Sequence, residues 1–109
     1  MILTRGDTGR YKFSRKNAAG EVIMERPETM FFTVKDSYET SGVIFQKSLS
    51  DMSMDGEGVW HFTIEPADTE RLAVKAYVWD IEVTTDRYVK TIAKGKLTLK
   101  SEATWYSNK

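Results

Sequence analysis

The sequence predicts an all-β domain, a β-sandwich of about seven to eight strands with one short helical turn near residues 66–72. Three observations predict it. Short runs of alternating apolar and polar residues recur along the whole chain. Gly, Asn, Asp, Ser and Pro separate these runs, and no apolar stripe with helical spacing persists over a dozen residues. With 109 residues, 40% hydrophobic and 29% charged, the chain holds enough apolar surface for one core and is expected to form a single domain over 1–109.

The elements follow in order. Met1–Thr4 and Arg10–Ser14 read as strands, the second with Tyr11 and Phe13 alternating with polar neighbours, and Asn17-Ala18-Ala19-Gly20 reads as a turn. Glu21–Met24 is expected to be a short strand ended by Arg26-Pro27, because proline lacks the donor a central ladder needs. Thr29–Lys35 is a strand with Met30, Phe32 and Val34 facing inward, which leaves Phe31 half-exposed. Val43–Ser48 is the next strand, and Ser50–Gly58, with two glycines, two aspartates and two methionines, is expected to be a mobile surface loop. Val59–Glu65 returns to alternation, with Trp60, Phe62 and Ile64 on one face and His61 and Thr63 on the other. Pro66–Leu72 carries the helical signal, since proline suits a first turn and acidic residues suit its positive end. Ala73–Thr84 and Tyr88–Lys100 are the two longest strand signals.

These last two are expected to form a hairpin around a three-residue loop, Thr85-Asp86-Arg87. That register sets Ile81 against Thr91, Trp79 against Ala93 and Tyr77 against Gly95, so that each bulky side chain meets a small one. On the other face it sets Glu82 against Lys90. A two-residue loop, which places Val83 opposite Lys90, matches a buried face less well.

Composition removes several function classes. Sixteen basic and sixteen acidic residues cancel, so no global field draws the chain onto nucleic acid. The absence of cysteine excludes disulfides, thiolate metal sites and thiol catalysis. Met1–Asp7 lacks the basic and apolar regions of a secretory signal, and no apolar run approaches the ~20 residues of a membrane span. A bacterial or viral product made in the cytoplasm is expected.

Candidate chemistry is sparse. His61 is the only histidine, and its chain neighbours Trp60 and Phe62 supply neither carboxylate nor nucleophile, so it reads as a surface residue. No Ser/His/Asp arrangement can be assembled, and an enzyme is not expected. Asp51, Asp55 and Glu57 superficially resemble a calcium loop without its twelve-residue spacing, and no metal or cofactor is expected. Arg5-Gly6-Asp7 reads as a glycine-permitted turn with Asp7 accepting nearby backbone hydrogens, rather than as an adhesion motif. Lys90, Lys94, Lys96 and Lys100 share a strand face and read as a solvated one. Trp105 and Tyr106, near a polar terminus, either close one end of the core or anchor a partner protein; with Phe31 they are the candidate partner-binding residues, and Met52 and Met54 extend that patch if contiguous.

The segments Leu3–Thr8, Phe32–Lys35, Phe45–Leu49, Phe62–Thr69, Tyr77–Glu82 and Thr91–Leu97 together give the chain a resemblance to the small structural proteins of tailed bacteriophages and prophages. It is similar to the N-terminal sandwich domain of baseplate upper proteins. The resemblance implies an immunoglobulin-like antiparallel sandwich that serves as a tail or baseplate building block. It further implies a place in the virion, or in the bacterial cytoplasm during assembly. The partners it implies are other phage structural proteins, with self-association possible, and it supplies no catalytic residue. The alternative is a carbohydrate-binding sandwich that stacks sugars on Trp60, Trp79, Trp105 or the tyrosines.

Overall fold

Two-residue alternation sets the layers of the structure, a computed structural model that describes residues 1–102. The chain forms β1 (Ile2–Thr4), β2 (Gly9–Ser14), β3 (Thr29–Lys35), β4 (Val43–Ser48), β5 (Ser53–Met54) and β6 (Val59–Ile64). A single helical turn, α1 (Pro66–Thr69), then leads to β7 (Ala76–Thr84) and β8 (Val89–Lys100). One sheet has the order β1-β8-β7-β3-β4 and the other β2-β6-β5. Met30, Phe32 and Val34 of β3 and Trp60 and Ile64 of β6 are fully buried between them, with Phe62 nearly so. The Phe32 ring is the junction, with its centroid 4.6 Å from that of Phe62 in the opposite sheet and 5.7 Å from that of Trp79.

This is an immunoglobulin-like sandwich. In the letters of that fold β2, β6 and β5 stand as B, E and D, β3, β7 and β8 as C, F and G, and β4 as C′. A tyrosine corner marks the start of β7, where Tyr77 Oη donates to the Ala73 carbonyl at 2.7 Å. Trp79, two residues on, stands where antibody domains carry a cysteine. The expectation of an antiparallel sandwich needs one correction: β1 pairs with β8 in parallel, Ile2 opposite Thr98 and Thr4 opposite Lys100. The pairing buries Leu3 beside Leu97 and Leu99 and covers the edge that β8 would otherwise leave open.

Two other segments differ from expectation. Residues 21–24 form no strand; a lone bridge, Lys16 to Val22, and the bond from Ile23 N to the Arg15 carbonyl hold them as a folded-back arm. The turn before them is as expected, with Gly20 at φ +83° and the Asn17 side chain accepting from Ala19 N and Glu21 N. Residues 50–58 are more than one loop: the end of a 3-10 turn and the short β5 fall within them, and two carboxylates hold the backbone. Asp51 accepts from Ser48 N at 2.8 Å, closing a 3-10 turn, and Asp55 accepts from Glu57 N and Val59 N. Met52 is buried and Met54 packs against the core, so neither extends a surface patch.

The hairpin register also differs. Thr84 pairs with Val89, and a four-residue loop, 85–88, joins the strands because the Thr85 hydroxyl accepts from Arg87 N and Tyr88 N. Val83 therefore faces Lys90 and Glu82 faces Thr91, the pairing that the sequence disfavours. Ile92 is then an unpaired bulge residue, and beyond it Ile81 faces Ala93, Asp80 faces Lys94, Trp79 faces Gly95 and Tyr77 faces Leu97. Glycine is indeed covered by an aromatic, but by Trp79: a Cβ on Gly95 would lie 3.1 Å from the indole. The bulge also divides the lysines, since Lys90 shares a face with buried Val83 while Lys94, Lys96 and Lys100 remain on the outer face.

Deleting Ile92 removes the unpaired residue, with its partly buried side chain, and leaves every cross-strand pair intact. The variant is expected to fold with a loss of about 1 kcal/mol, read from urea melts. Deleting Thr98 instead turns Leu99 out of the core and is expected to cost about 3 kcal/mol or more.

The turn after β1 is fastened to the α1 region. Gly6, at φ +83°, donates its N–H to the buried Thr69 hydroxyl at 2.9 Å. Arg5 donates to the Leu72 carbonyl and, at 2.8 Å, to Glu102. Arg5-Gly6-Asp7 is thus the expected glycine turn, though it is the Asp7 backbone N–H, donating to the Thr4 carbonyl, that closes it. The hydrogen bond from Arg5 holds the Glu102 carboxyl below the usual glutamate range. A carboxyl depressed in the folded state contributes stability above its unfolded value and loses it as pH falls through the lowered one. In an NMR titration Glu102 is expected to titrate below ordinary glutamates, and Arg5→Gln to return it toward them.

Candidate functional site

At one end of the sandwich the 15–28 connection between β2 and β3 meets the β7–β8 loop, and together they enclose an open cleft of about 820 Å³. The volume lies within the range of ligand-holding pockets. These are the B–C and F–G connections, two of the loops that carry recognition in variable domains. The β5–β6 turn supports the arm from beneath: Gly58, at φ +81°, is so close that a Cβ there would lie 2.5 Å from Val22 and 2.7 Å from the Met24 sulfur.

Arg15 is the central residue. It follows the last residue of β2, so its side chain is carried into the gap between the sheets, and it is only 4% exposed. Nη1 donates to the Glu25 carbonyl at 2.9 Å and Nη2 to the Tyr88 hydroxyl at 3.3 Å. Both partners are neutral, and among the described residues no carboxylate pairs with this guanidinium. A cation taken out of water without a counter-charge is costly, and this one keeps only two of its five donors bonded to protein.

The rest of the lining adds to the same sign. Among the described residues, Lys16, Arg26, Arg87 and Lys90 surround Arg15, against Glu25 alone among lining carboxylates. Ile23 and Tyr88 supply apolar surface, and a smaller hollow of about 300 Å³ continues past them to Ile92. Arg26 also lies over the ring of buried Trp60, with Cζ 5.9 Å from the centroid, which ties the rim to the core. The bulge at Ile92 is what places Lys90 here: an unbroken alternation running through Ile92 would turn the residue outward with Lys94 and Lys96.

The sequence-predicted candidates lie elsewhere. Phe31 is half-buried on the outer face of the five-stranded sheet, between Ser48 and Glu82, and does not line the cleft. Trp105 and Tyr106 fall outside the described residues. His61 is exposed as expected, but it has a carboxylate neighbour after all, Asp55 Oδ2 at 3.1 Å from Nε2. This contact, with the backbone N–H groups of Val59 and Glu57, holds the Asp55 carboxyl below the usual aspartate range. Asp51, Asp55 and Glu57 do not converge; among the described residues no three His, Asp or Glu side chains are grouped to hold a metal ion. Of the tryptophans proposed for sugar stacking, Trp60 is fully buried, and Trp79 packs on Phe32 with its N–H on the Lys96 carbonyl. Neither offers a platform.

No protein-family model matches the sequence, and no curated protein matches it. Among solved structures, the chain is similar to CopC from Methylosinus trichosporium OB3b, at 15% identity and a TM-score of 0.43, over 74% of this chain and 71% of that one. At that identity and score the likeness assigns no role to any residue.

Proposed function

We propose that this chain is a non-enzymatic recognition module that acts through protein–protein contacts, as a tail- or baseplate-associated component of a phage or prophage particle. The observation that carries the contact role is the cleft of about 820 Å³ between two connecting loops at one end of a rigid sandwich. Loops positioned by a packed scaffold are where such folds place recognition. The phage setting rests on the resemblance of the strand and turn segments named above, and fold alone supplies no function. In this reading the protein is a part of the virion, present in the bacterial cytoplasm during assembly, and its partners are other structural proteins of the particle or further copies of itself.

Co-elution of the purified chain with the products of adjacent tail genes tests the proposal. A stable complex supports it. A strictly monomeric protein that binds none of them overturns it.

A further inference from the structure

We propose that the cleft receives an acidic segment of the partner protein, with the Arg15 guanidinium as the charge at its centre. This deepens the contact role proposed above and rests on it.

The charge is the first reason. Among the described residues five cations line the cleft against one carboxylate, with Asp86 beside Arg87 as a second carboxylate at its edge, in a chain whose formal net charge is zero, so the asymmetry is local to this end. Burial is the second. A guanidinium 4% exposed and bonded only to a carbonyl and a phenol gains more from an incoming carboxylate than an exposed one does, because the water it would displace is already largely gone. Its planar fork fits a carboxylate with two parallel hydrogen bonds.

Shape argues for a peptide over a polynucleotide. A nucleic-acid footprint follows a long basic stripe, whereas these cations ring one hollow whose lining includes Ile23 and Tyr88, suited to apolar side chains flanking an acidic residue. Exposed Arg87, whose Nε lies 3.8 Å from Asp86 Oδ1, and exposed Lys90, both on the β7–β8 side, raise the encounter rate and select the sign of the partner, and buried Arg15 holds what enters.

The test is fluorescence anisotropy of a labelled hexaglutamate peptide on the full chain, at about 50 and about 300 mM salt. Hexaglutamine and hexalysine serve as controls, and inorganic phosphate as competitor. Saturable binding of hexaglutamate alone is expected, weakened about tenfold or more in the Arg87→Gln/Lys90→Gln double variant. Both side chains lie outside the core, so the thermal melt of that variant should match the parent and separate lost binding from lost fold. Equal binding of hexaglutamine, no binding of hexaglutamate, or an unaffected double variant overturns the proposal. Displacement of the peptide by an equal concentration of phosphate identifies a simple anion site and overturns it too. The two readings fail separately. A double variant that still co-elutes with its tail partner at full strength shows docking elsewhere and sinks only the acidic-segment inference. Absence of any partner sinks the contact role, whatever hexaglutamate does.

Discussion

Phe32→Ala is expected to destabilise the domain by about 3–5 kcal/mol, read from urea denaturation midpoints at constant slope. Phe32 is fully buried, and its ring meets those of Phe62, Trp79 and Phe45 at centroid distances of 4.6, 5.7 and 6.3 Å. Truncation removes a central contact between the two sheets and leaves a cavity among rings that cannot all collapse into it. Against a total stability of about 5–15 kcal/mol for a domain of this size, the loss leaves the variant near its limit. The control is its neighbour: Phe31→Ala, on the outer face between Ser48 and Glu82, is expected to cost under about 1 kcal/mol. Equal losses at the two positions would refute the alternation on which the architecture stands.

Gly58→Val is the second large effect, expected at about 3 kcal/mol. Gly58 sits at φ +81°, which penalises any L side chain by about 1–2 kcal/mol and a β-branched one more. The new Cβ also meets Val22 Cγ1 at 2.5 Å and Met24 Sδ at 2.7 Å, so the arm that carries Ile23 and Glu25 must lift. The Glu25 carbonyl is an acceptor of Arg15, and hexaglutamate affinity is therefore expected to fall although no lining residue has changed. Gly56→Ala, where a Cβ meets nothing within 4 Å, is the matched control and is expected to be near neutral in both assays.

The sequence carries the layers of this fold more clearly than its registers. Alternation in 29–35 and 59–64 identifies the inward residues because each of those strands keeps one parity from end to end. The β7–β8 hairpin does not. Its bulge falls on Ile92, an ordinary strand residue with no glycine or proline to announce it, and a parity argument that assumes an unbroken ladder selects the wrong loop. The four-residue loop depends on the Thr85 hydroxyl, one among many threonines in the chain.

The cleft is harder still to read in one dimension. Arg15 and Arg26 lie some sixty or more positions from Arg87 and Lys90, and each alone looks like a solvated surface charge. Only the two-residue alternation through Tyr11 and Phe13 separates Arg15, which is buried, from Lys16, which is exposed, and it stops with the strand at Ser14. Only the placement of the B–C and F–G connections at a common end brings them together. The local sign is Tyr88, an aromatic beside the predicted turn, whose hydroxyl accepts from Arg15. The aromatic anchors expected from the sequence lie at Phe31, on the opposite surface of the sheet, and at Trp105 and Tyr106, outside the described residues.

The parallel pairing of β1 with β8 bears on how the domain would carry a pull. Met1 precedes one strand and Glu102 follows the other, so tension drawing these residues apart runs along two neighbours that point the same way. The links between them, Thr98 N to the Met1 carbonyl at one end and Arg5 N to the Lys100 carbonyl at the other, are then loaded in shear together rather than peeled singly. Forced rupture is governed by the unfolding rate, and a junction that must break all at once raises that barrier. The same three-residue strand that shields an edge thus acts as a latch against mechanical extension.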